Sequence, residues 1–578
     1  MHDILFRDAL LFDGMGGPPA LRDVAVTSGR ISAIGAAAGA AAGAAAREVI
    51  AAEGLALMPG IIDSHTHFDA QITWDPCVRP SPALGVTTAV IGNCGFTIAP
   101  CKPQDREVTM RNLTQVEGMS LEVLRAGIAW DFETFPEYLA QLRRTGSAVN
   151  LAAYIGHSSV RTYVMGDEAS KRVASDAEVA QMQDIVREAM RAGAVGFASS
   201  TSPAHNGEGG RPMPSRLADD REMQALVTAM GESGRGVYML TKGGHTPMPF
   251  LESLAADSGR PVMVAALLHN TTNPQAVFDD LDAISAANAR GHRLIGQVSC
   301  CPLTMDFTMQ SPYPAEGLAS WQSALGLQGD ALTARLASKD FRDGVRAELA
   351  TPTNFRLFNG EWAKVQVVEA ATPANARYEQ RSIDDIARSE GRDPLDVMLD
   401  LAIAENLQTV FTAQLLNSDE AAVGRMLNHP HSLVSLSDAG AHLTFFNDAG
   451  FGLHLLGHWS RDRGAMSMSE AVRRLTSQPA DIFGMRERGL IRDGLAADLL
   501  LFDPRTVGRG PKRRVFDLPG GAPRLTTDAV GVHGVWVNGQ LVANAGGLVE
   551  SAPRAGVLLA DVPANPPNAP TTAHQAGR

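Results

Sequence analysis

The stretch of sequence that indicates the fold is Pro59-Gly60-Ile61-Ile62-Asp63-Ser64-His65-Thr66-His67-Phe68-Asp69. A short apolar strand after Pro-Gly ends in two histidines at positions i and i+2, so both imidazoles point to one side of the strand. Two neutral imidazoles suit a divalent metal such as zinc. An isolated His-x-His is common on surfaces, but this one ends an apolar strand between two acids. We therefore expect His65 and His67 to be metal ligands.

Further apolar runs follow this strand, and helical segments separate several of them. The predicted strands lie near residues 55–62, 86–92, 149–155, 194–199, 236–241, 261–268, 293–299 and 432–437. Ser175 and Glu178 form a capping box at the start of one intervening helix. Eight strands alternating with helices predict an α/β fold of the (β/α)8 TIM-like barrel type. Barrel active sites form at the C-terminal ends of the strands.

Both ends of the chain show short strands separated by turns, and we expect them to build one small composite β-sandwich domain. The predicted segments are a β-sandwich part at 1–57, the barrel at 58–487 with an insertion at about 301–430, a second β-sandwich part at 488–550 and a tail at 551–578. The insertion is inferred because the gap before strand eight far exceeds ordinary loop lengths. The Ala/Gly run at 36–46 is expected to be a connector.

The composition limits the partners that the chain can have. Its 578 residues include 63 acidic and 50 basic side chains, a net charge of −13 that disfavours nucleic acid and anionic membranes. Five cysteines are too few for a disulfide scaffold, which favours a reducing compartment. Without an apparent signal peptide or apolar span, we expect a soluble cytoplasmic protein. The expected partner is a small-molecule amide, and a homo-oligomer is an open alternative.

Two other strand ends carry residues with metal or proton chemistry. Cys94 ends the second strand, and Asp438 ends the last. Because the first and last strands of a barrel are neighbours, Asp438 can close on the two histidines. A carboxylate at such a site can accept a proton from an activated water and pass it to a leaving group. The alternatives are a buried cysteine that acts as a small hydrophobe and an aspartate that caps a helix.

These features together resemble the amidohydrolase superfamily and, within it, the N-acyl-D-amino-acid deacylase (D-aminoacylase) family. The resemblance runs from residue 1 to about residue 545. The motifs that carry it are His65-Thr66-His67-Phe68-Asp69, Gly85-Val86-Thr87-Thr88, Gly92-Asn93-Cys94-Gly95, Trp130 to Tyr138, Gly156 to Arg161, Gly193-Ala194-Val195-Gly196-Phe197 and Ser437-Asp438.

The resemblance implies a metal-dependent barrel with a composite β-sandwich that hydrolyses a C–N amide bond. It implies that His65, His67 and Cys94 are metal ligands, that Cys94 can bridge two metal positions, and that Asp438 is both ligand and proton shuttle. The expected cofactor is a divalent metal, with Zn²⁺ as the first expectation, present as one or two ions.

Typical members of this family carry metal histidines at the ends of strands five and six, and the chain departs from them at strand five. Strand five ends in Thr241 and Lys242, with His245 slightly beyond, and strand six ends at His269. We therefore treat His269, His245 and Lys242 as candidate ligands. The alternatives are a hydrogen-bonded residue at the strand end and a lysine that faces solvent or a substrate carboxylate.

Three further residues are candidates for substrate binding. His157 follows strand three in a Gly-His pattern, and Arg161 and Arg216 can each bind a carboxylate in a fork. Structural hydrogen bonds and surface arginines are the alternatives. The expected function is hydrolysis of an N-acyl (D-)amino acid or a related N-acyl compound. The alternatives are hydrolysis of a different amide, cyclic amide, carbamate or ester, and a non-catalytic barrel scaffold.

Overall fold

The computed structural model of the chain describes residues 1–36, 45–353, 356–549 and 553–560. The strands, in chain order, are β1 (His2–Leu11), β2 (Ala20–Thr27), β3 (Arg30–Ala36), β4 (Ala46–Ala51), β5 (Ala56–Pro59), β6 (Ile61–Asp63), β7 (Val86–Ile91), β8 (Asn150–Gly156), β9 (Gly196–Ser200), β10 (Val237–Thr241), β11 (Val262–Leu267), β12 (Leu294–Val298), β13 (Leu303–Phe307), β14 (Val365–Glu369), β15 (Val410–Leu416), β16 (Ser432–Val434), β17 (Leu499–Phe502), β18 (Gly508–Leu518), β19 (Ala522–Val530), β20 (Val532–Val537), β21 (Gln540–Asn544) and β22 (Gly547–Leu548).

The helices occupy much of the chain between these strands. In chain order they are α1 (Arg106–Val116), α2 (Leu121–Gly127), α3 (Phe135–Thr145), α4 (His157–Met165), α5 (Asp176–Ala192), α6 (Asp220–Gly231), α7 (Met248–Ser258), α8 (Ala276–Ala289), α9 (Gly329–Ala337), α10 (Lys339–Ala350), α11 (Ile383–Glu390), α12 (Pro394–Ala404), α13 (Glu420–Leu427), α14 (Phe451–His454), α15 (Met468–Leu475) and α16 (Ser477–Phe483). The capping box predicted from Ser175 and Glu178 begins α5.

The central sheet is a curved row of eight parallel strands, β6 to β12 followed by β16. The chain segments after its first and last strands meet at the mouth, where Thr66 pairs with Ala439 and the His67 N–H donates to the Ala439 carbonyl at 2.8 Å. Helices separate most successive strands and cover the sheet with apolar side chains. The predicted TIM-like barrel is confirmed.

The second sheet joins the two ends of the chain. It contains β1 to β5 together with β17 and β20 to β22, and β17 lies between β5 and β20. The buried rings of Phe6 on β1 and Trp536 on β20 meet edge to face at 4.9 Å. The expectation that both termini build one β-domain is thus confirmed.

Strands β18 and β19 form a separate hairpin that does not join this nine-stranded sheet. The hairpin instead reaches the barrel mouth, where the Leu525 N–H donates to the Leu443 carbonyl at 2.6 Å. Arg509 on β18 binds the carboxylate of Asp448 at 2.8 Å. The β18–β19 hairpin of the C-terminal region therefore forms part of the barrel mouth, beside the loop that follows β16, the eighth barrel strand.

The segment between β12 and β16 has its own apolar core. Antiparallel strands β13, β15 and β14 pack with α9 to α12 around side chains that include Trp321, Phe341 and Phe411. Helix α13 belongs instead to the main core, through Val423 and Met426. The inserted unit therefore covers residues 303–416, and α13 is the helix that precedes the last barrel strand.

Residues 553–560 of the predicted tail run along β8. The Leu151 N–H donates to the Val557 carbonyl at 3.0 Å, and the Leu559 N–H donates to the Leu151 carbonyl at 2.7 Å. Residues 551–552 and 561–578 of the predicted tail, and residues 37–44 of the predicted connector, lie outside the described residues. In the described part of the chain, none of the helices has the length and apolar character needed to cross a membrane.

Candidate metal centre

Three metal-binding side chains lie together at the mouth of the barrel. His65 and His67 follow β6, Cys94 follows β7, and all three are buried. One possible ligand atom of each side chain lies within 4.8 Å of those of the other two. The described residues contain no second cluster of three or more His, Cys, Asp or Glu side chains this close together. Two imidazoles and a thiolate are a donor set typical of zinc. The structure therefore brings together three residues that the sequence suggested as ligands.

The turn that carries Cys94 has an uncommon backbone conformation. Cys94 has φ of 56°, between Gly92 at 86° and Gly95 at 75°, so only the glycines adopt this region without strain. The Asn93 side-chain amide donates to the Thr66 carbonyl at 3.1 Å and so ties this turn to the loop of the two histidines. Strained residues held by such contacts are concentrated at functional sites.

Asp438 approaches both imidazoles from the other side of the barrel closure. Its Oδ1 lies 3.2 Å from His65 Nε2 and 3.5 Å from His67 Nε2. Burial opposes its ionisation, but His67 and His65 hold the pKa of Asp438 well below its usual range. Its side chain is 22% exposed, whereas the two histidines are 2% and 5% exposed. An ionised carboxylate therefore lies against both imidazoles and is still reachable from the mouth.

The outer nitrogens of the two histidines are held by buried acceptors. His65 Nδ1 lies 2.8 Å from Gln297 Oε1, and His67 Nδ1 lies 3.0 Å from Glu117 Oε1. Because an amide oxygen accepts, the hydrogen bond to Gln297 places the proton of a neutral His65 on Nδ1 and leaves its Nε2 available to a metal. The contact of His67 with Glu117 is an ion-pair distance, and the negative charge acts on Nδ1. Both Nε2 atoms lie against Asp438 Oδ1, so the two imidazoles present these nitrogens to the same place.

The sulfur of Cys94 lies 3.7 Å from His65 Nε2 and 3.1 Å from Thr241 Oγ1. Burial alone would raise the pKa of Cys94, but His65 and His67 lower it below its ordinary value. The thiolate is the form that binds metals.

The charges around these donors fit a cation. Burial opposes a charge on His67, but Glu117 and Asp438 raise its pKa well above the ordinary value. Two carboxylates and a thiol with a lowered pKa thus surround two imidazoles, and a divalent cation can balance that negative charge. The nitrogen, sulfur and oxygen donors match the preferences of zinc.

Two further histidines, His205 and His442, also lie at this mouth. Burial lowers the pKa of His205 to about 4, and burial also lowers the pKa of His442. The charges of Glu117 and Asp438 act on both rings. His205 Nδ1 lies 2.6 Å from Ser200 Oγ, and a neutral imidazole has one donor and one acceptor nitrogen.

Sequence signals for these additional residues differ. His442 lies four residues after Asp438, and His205 lies five residues after β9 ends, so both belong to strand-end loops where site residues are expected. Glu117 follows a helix and Gln297 lies inside β12. Those two positions offer no sequence signal for a contact with a metal ligand.

The candidate ligands from strands five and six lie apart from the three-donor group. Lys242 Nζ is bound by both carboxylate oxygens of Asp280, at 2.7 and 2.8 Å. His245 is exposed in the loop after β10. His269 is buried beside the inserted unit: its backbone N–H donates to Asn417 Oδ1 at 2.7 Å.

The residues suggested for substrate binding make internal contacts. His157 Nε2 lies 2.8 Å from Glu222 Oε1, and Arg161 also binds Glu222; all three side chains are fully buried. Arg216 donates to the His205 carbonyl at 3.1 Å and binds Asn206. The first two residues thus link α4 to α6, while Arg216 holds the loop that carries His205.

Comparison with known proteins relates the chain to the amidohydrolase family. The sequence model described as the amidohydrolase family matches residues 48–543. The chain is 28% identical over 574 residues to the N-acyl-D-aspartate deacylase of Alcaligenes xylosoxydans xylosoxydans, covering 96% of this chain and 95% of that protein.

Solved structures show the same architecture. An N-acyl-D-glutamate deacylase from Bordetella bronchiseptica, crystallised with zinc and a phosphonate mimic of the tetrahedral intermediate, superposes with a TM-score of 0.64 and 25% identity over 97% of this chain and 99% of that one. A D-aminoacylase whose metal centre is described as binuclear gives a TM-score of 0.64 and 24% identity, covering 96% and 99%.

Proposed function

The chain belongs to the amidohydrolase family, and from that premise we propose that it is a zinc-dependent deacylase of N-acyl-D-amino acids. The observation that carries the chemistry is the contact of the Asp438 carboxylate with both His65 and His67, beside Cys94. The related proteins that act on N-acyl-D-aspartate and N-acyl-D-glutamate support the substrate class. The cytoplasmic location, the domain limits and a homo-oligomer stay predictions.

The overall reaction adds water across an amide: the C–N bond breaks, the carbonyl carbon gains a hydroxyl group and the nitrogen gains a proton. A divalent ion held by His65, His67, Cys94 and Asp438 would supply Lewis-acid polarisation of the carbonyl oxygen and a lower pKa for the attacking water. Asp438 accepts the proton of that water and transfers it to the leaving nitrogen. Gln297 and Glu117 fix the orientation of the imidazoles during these steps.

Activity assays on paired enantiomers test this proposal. N-acetyl-D- and N-acetyl-L-amino acids with acidic, neutral and aromatic side chains are compared, together with cyclic amides, carbamates and esters. We expect release of the free D-amino acid, loss of that activity in a chelator and its return with Zn²⁺. Full activity in a protein shown to be metal-free would contradict the proposal.

The substrate panel also separates the alternatives. Inactivity on all N-acyl amino acids with turnover of a cyclic amide, carbamate or ester would favour a different amidohydrolase substrate. The absence of a histidine from the end of β10 favours this second candidate. Inactivity on every compound by zinc-loaded protein would favour the non-catalytic scaffold.

Glu117→Gln is expected to weaken zinc binding by about 10–100-fold, because the carboxylate that contacts His67 Nδ1 becomes a neutral amide. Competition with a chromophoric chelator measures the zinc affinity. The matched control is Glu122→Gln, at an exposed position in the first turn of α2. Equal zinc affinity in the two variants would show that Glu117 does not position His67.

A further inference from the structure

The end of β10 offers the metal centre a hydroxyl group. Thr241, the last residue of that strand, is buried and its Oγ1 lies 3.1 Å from Cys94 Sγ. A hydroxyl can donate one hydrogen bond, and the sulfur is a suitable acceptor. The contact therefore holds one side of the Cys94 sulfur against Thr241, at the end of the fifth barrel strand, β10.

A second ion beside Cys94 would need additional ligands. Two four-coordinate ions that share one sulfur use about seven donor atoms from protein and water. Among the described residues, the donors whose ligand atoms lie within 4.8 Å of one another are His65, His67 and Cys94, with Asp438 in contact with both histidines. The two other histidines of the mouth, His205 and His442, do not belong to this group. Zinc sites take their ligands from cysteine, histidine and carboxylates, so Thr241 does not extend this set.

The neighbouring strand ends do not bring further donors into this group. The backbone of His269, after β11, is fixed by Asn417: the His269 N–H donates to Asn417 Oδ1 at 2.7 Å, and the Asn417 N–H donates to the His269 carbonyl at 2.9 Å. Its buried ring nitrogen Nδ1 has no hydrogen-bond partner among the described residues, and the ring does not belong to the group of His65, His67 and Cys94. Burial lowers the pKa of the His269 ring, and the charges that act on it are those of Asp419, Lys364, Glu361 and Arg425. The Lys242 ammonium is held by Asp280.

We propose that this centre binds one divalent ion, with Cys94 as a terminal ligand whose sulfur accepts a hydrogen bond from Thr241. The inference rests on the metal centre of the proposed function but not on its substrate. It differs from the binuclear centre of the related D-aminoacylase. The Thr241 hydroxyl thus lies against the Cys94 sulfur at the end of β10, and a hydroxyl is not among the usual zinc ligands.

Metal stoichiometry tests the proposal without an activity assay. The full-length apoprotein is titrated with Co²⁺ while the sulfur-to-cobalt charge-transfer absorption is recorded, and zinc content is measured after loading and desalting. We expect a break at one equivalent and one zinc per chain. The double variant His65→Ala, His67→Ala is expected to lose both signals.

The possible results separate this inference from the proposed function. A break at two equivalents in the wild-type protein, absent from the double variant, would overturn the single-ion centre and leave the deacylase proposal intact. Failure of the wild-type protein to bind either ion at His65 and His67 would overturn both.

Thr241→Val tests the role of the hydroxyl, since valine keeps the shape of the side chain and removes the donor. We expect one ion per chain and a charge-transfer band at longer wavelength, because the sulfur loses a hydrogen bond that stabilises its lone pairs. Thr228→Val, at a half-buried position on α6, is the matched control. An unchanged band in Thr241→Val would show that Thr241 does not bind the sulfur.

Discussion

Asp438→Asn is expected to lower kcat by about 10²–10⁴-fold, the usual contribution of a positioned acid–base group. Asparagine keeps the size of the side chain and can still contact His65 and His67, but its amide cannot accept the proton of the attacking water. Steady-state kinetics on the best substrate of the enantiomer panel measure the effect. Zinc content and circular dichroism establish whether the variant retains the ion and the fold.

The control for this variant is Asp493→Asn, an exposed aspartate in the chain segment between α16 and β17. It makes the same chemical change away from the centre and is expected to leave kcat near the wild-type value. A zinc-loaded Asp438→Asn protein with wild-type kcat would contradict the role of Asp438 as proton shuttle. Loss of zinc together with kcat would identify Asp438 chiefly as a ligand.

Glu222→Gln is expected to reduce the free energy of unfolding by about 3–5 kcal/mol, because it removes one partner of a buried ion pair. Glu222 on α6 holds both His157 and Arg161 on α4, and all three side chains are fully buried. The neutral amide leaves the Arg161 guanidinium charged without its carboxylate. Urea denaturation followed by circular dichroism measures the difference.

The loss of unfolding free energy in Glu222→Gln should become smaller at acidic pH. Burial opposes ionisation of Glu222, but His157 and Arg161 lower its pKa below the ordinary value of 4.5. A lowered pKa in the folded state stabilises the protein above the unfolded pKa, and this stabilisation is lost as the pH falls through the folded value. The difference between wild type and Glu222→Gln is therefore expected to be constant near neutrality and to shrink below about pH 4.5.

Glu232→Gln is the matched control, because Glu232 pairs with Arg187 on the surface, where both side chains are partly exposed. Exposed pairs contribute about 0–1 kcal/mol. Equal stability losses in the two variants would show that the buried network contributes no more than a surface pair. The comparison also tests whether His157 and Arg161 have structural roles, as their contacts indicate.

Much of the fold follows from local patterns in the sequence. Apolar runs separated by helical periodicity predicted the eight barrel strands, and the short strands at both ends predicted a joint β-domain. The inserted unit was not predictable in detail, because its sheet pairs β13 with β15, more than one hundred residues apart along the chain. Hairpin β18–β19 also carries no local signal that it reaches the barrel mouth instead of joining the terminal sheet.

Strand-end motifs selected His65, His67, Cys94 and Asp438 as candidates, since a residue at the end of a barrel strand lies at the mouth. The family resemblance added the ligand roles of Cys94 and Asp438. The chain's own sequence thus determined the barrel and the kind of chemistry placed there. Only the tertiary structure shows which side chains contact the candidate ligands: Glu117 contacts His67, Gln297 contacts His65 and Thr241 contacts Cys94. These contacts join residues that are 50 to 232 positions apart, and only the closure of the barrel brings such distant residues within hydrogen-bonding distance.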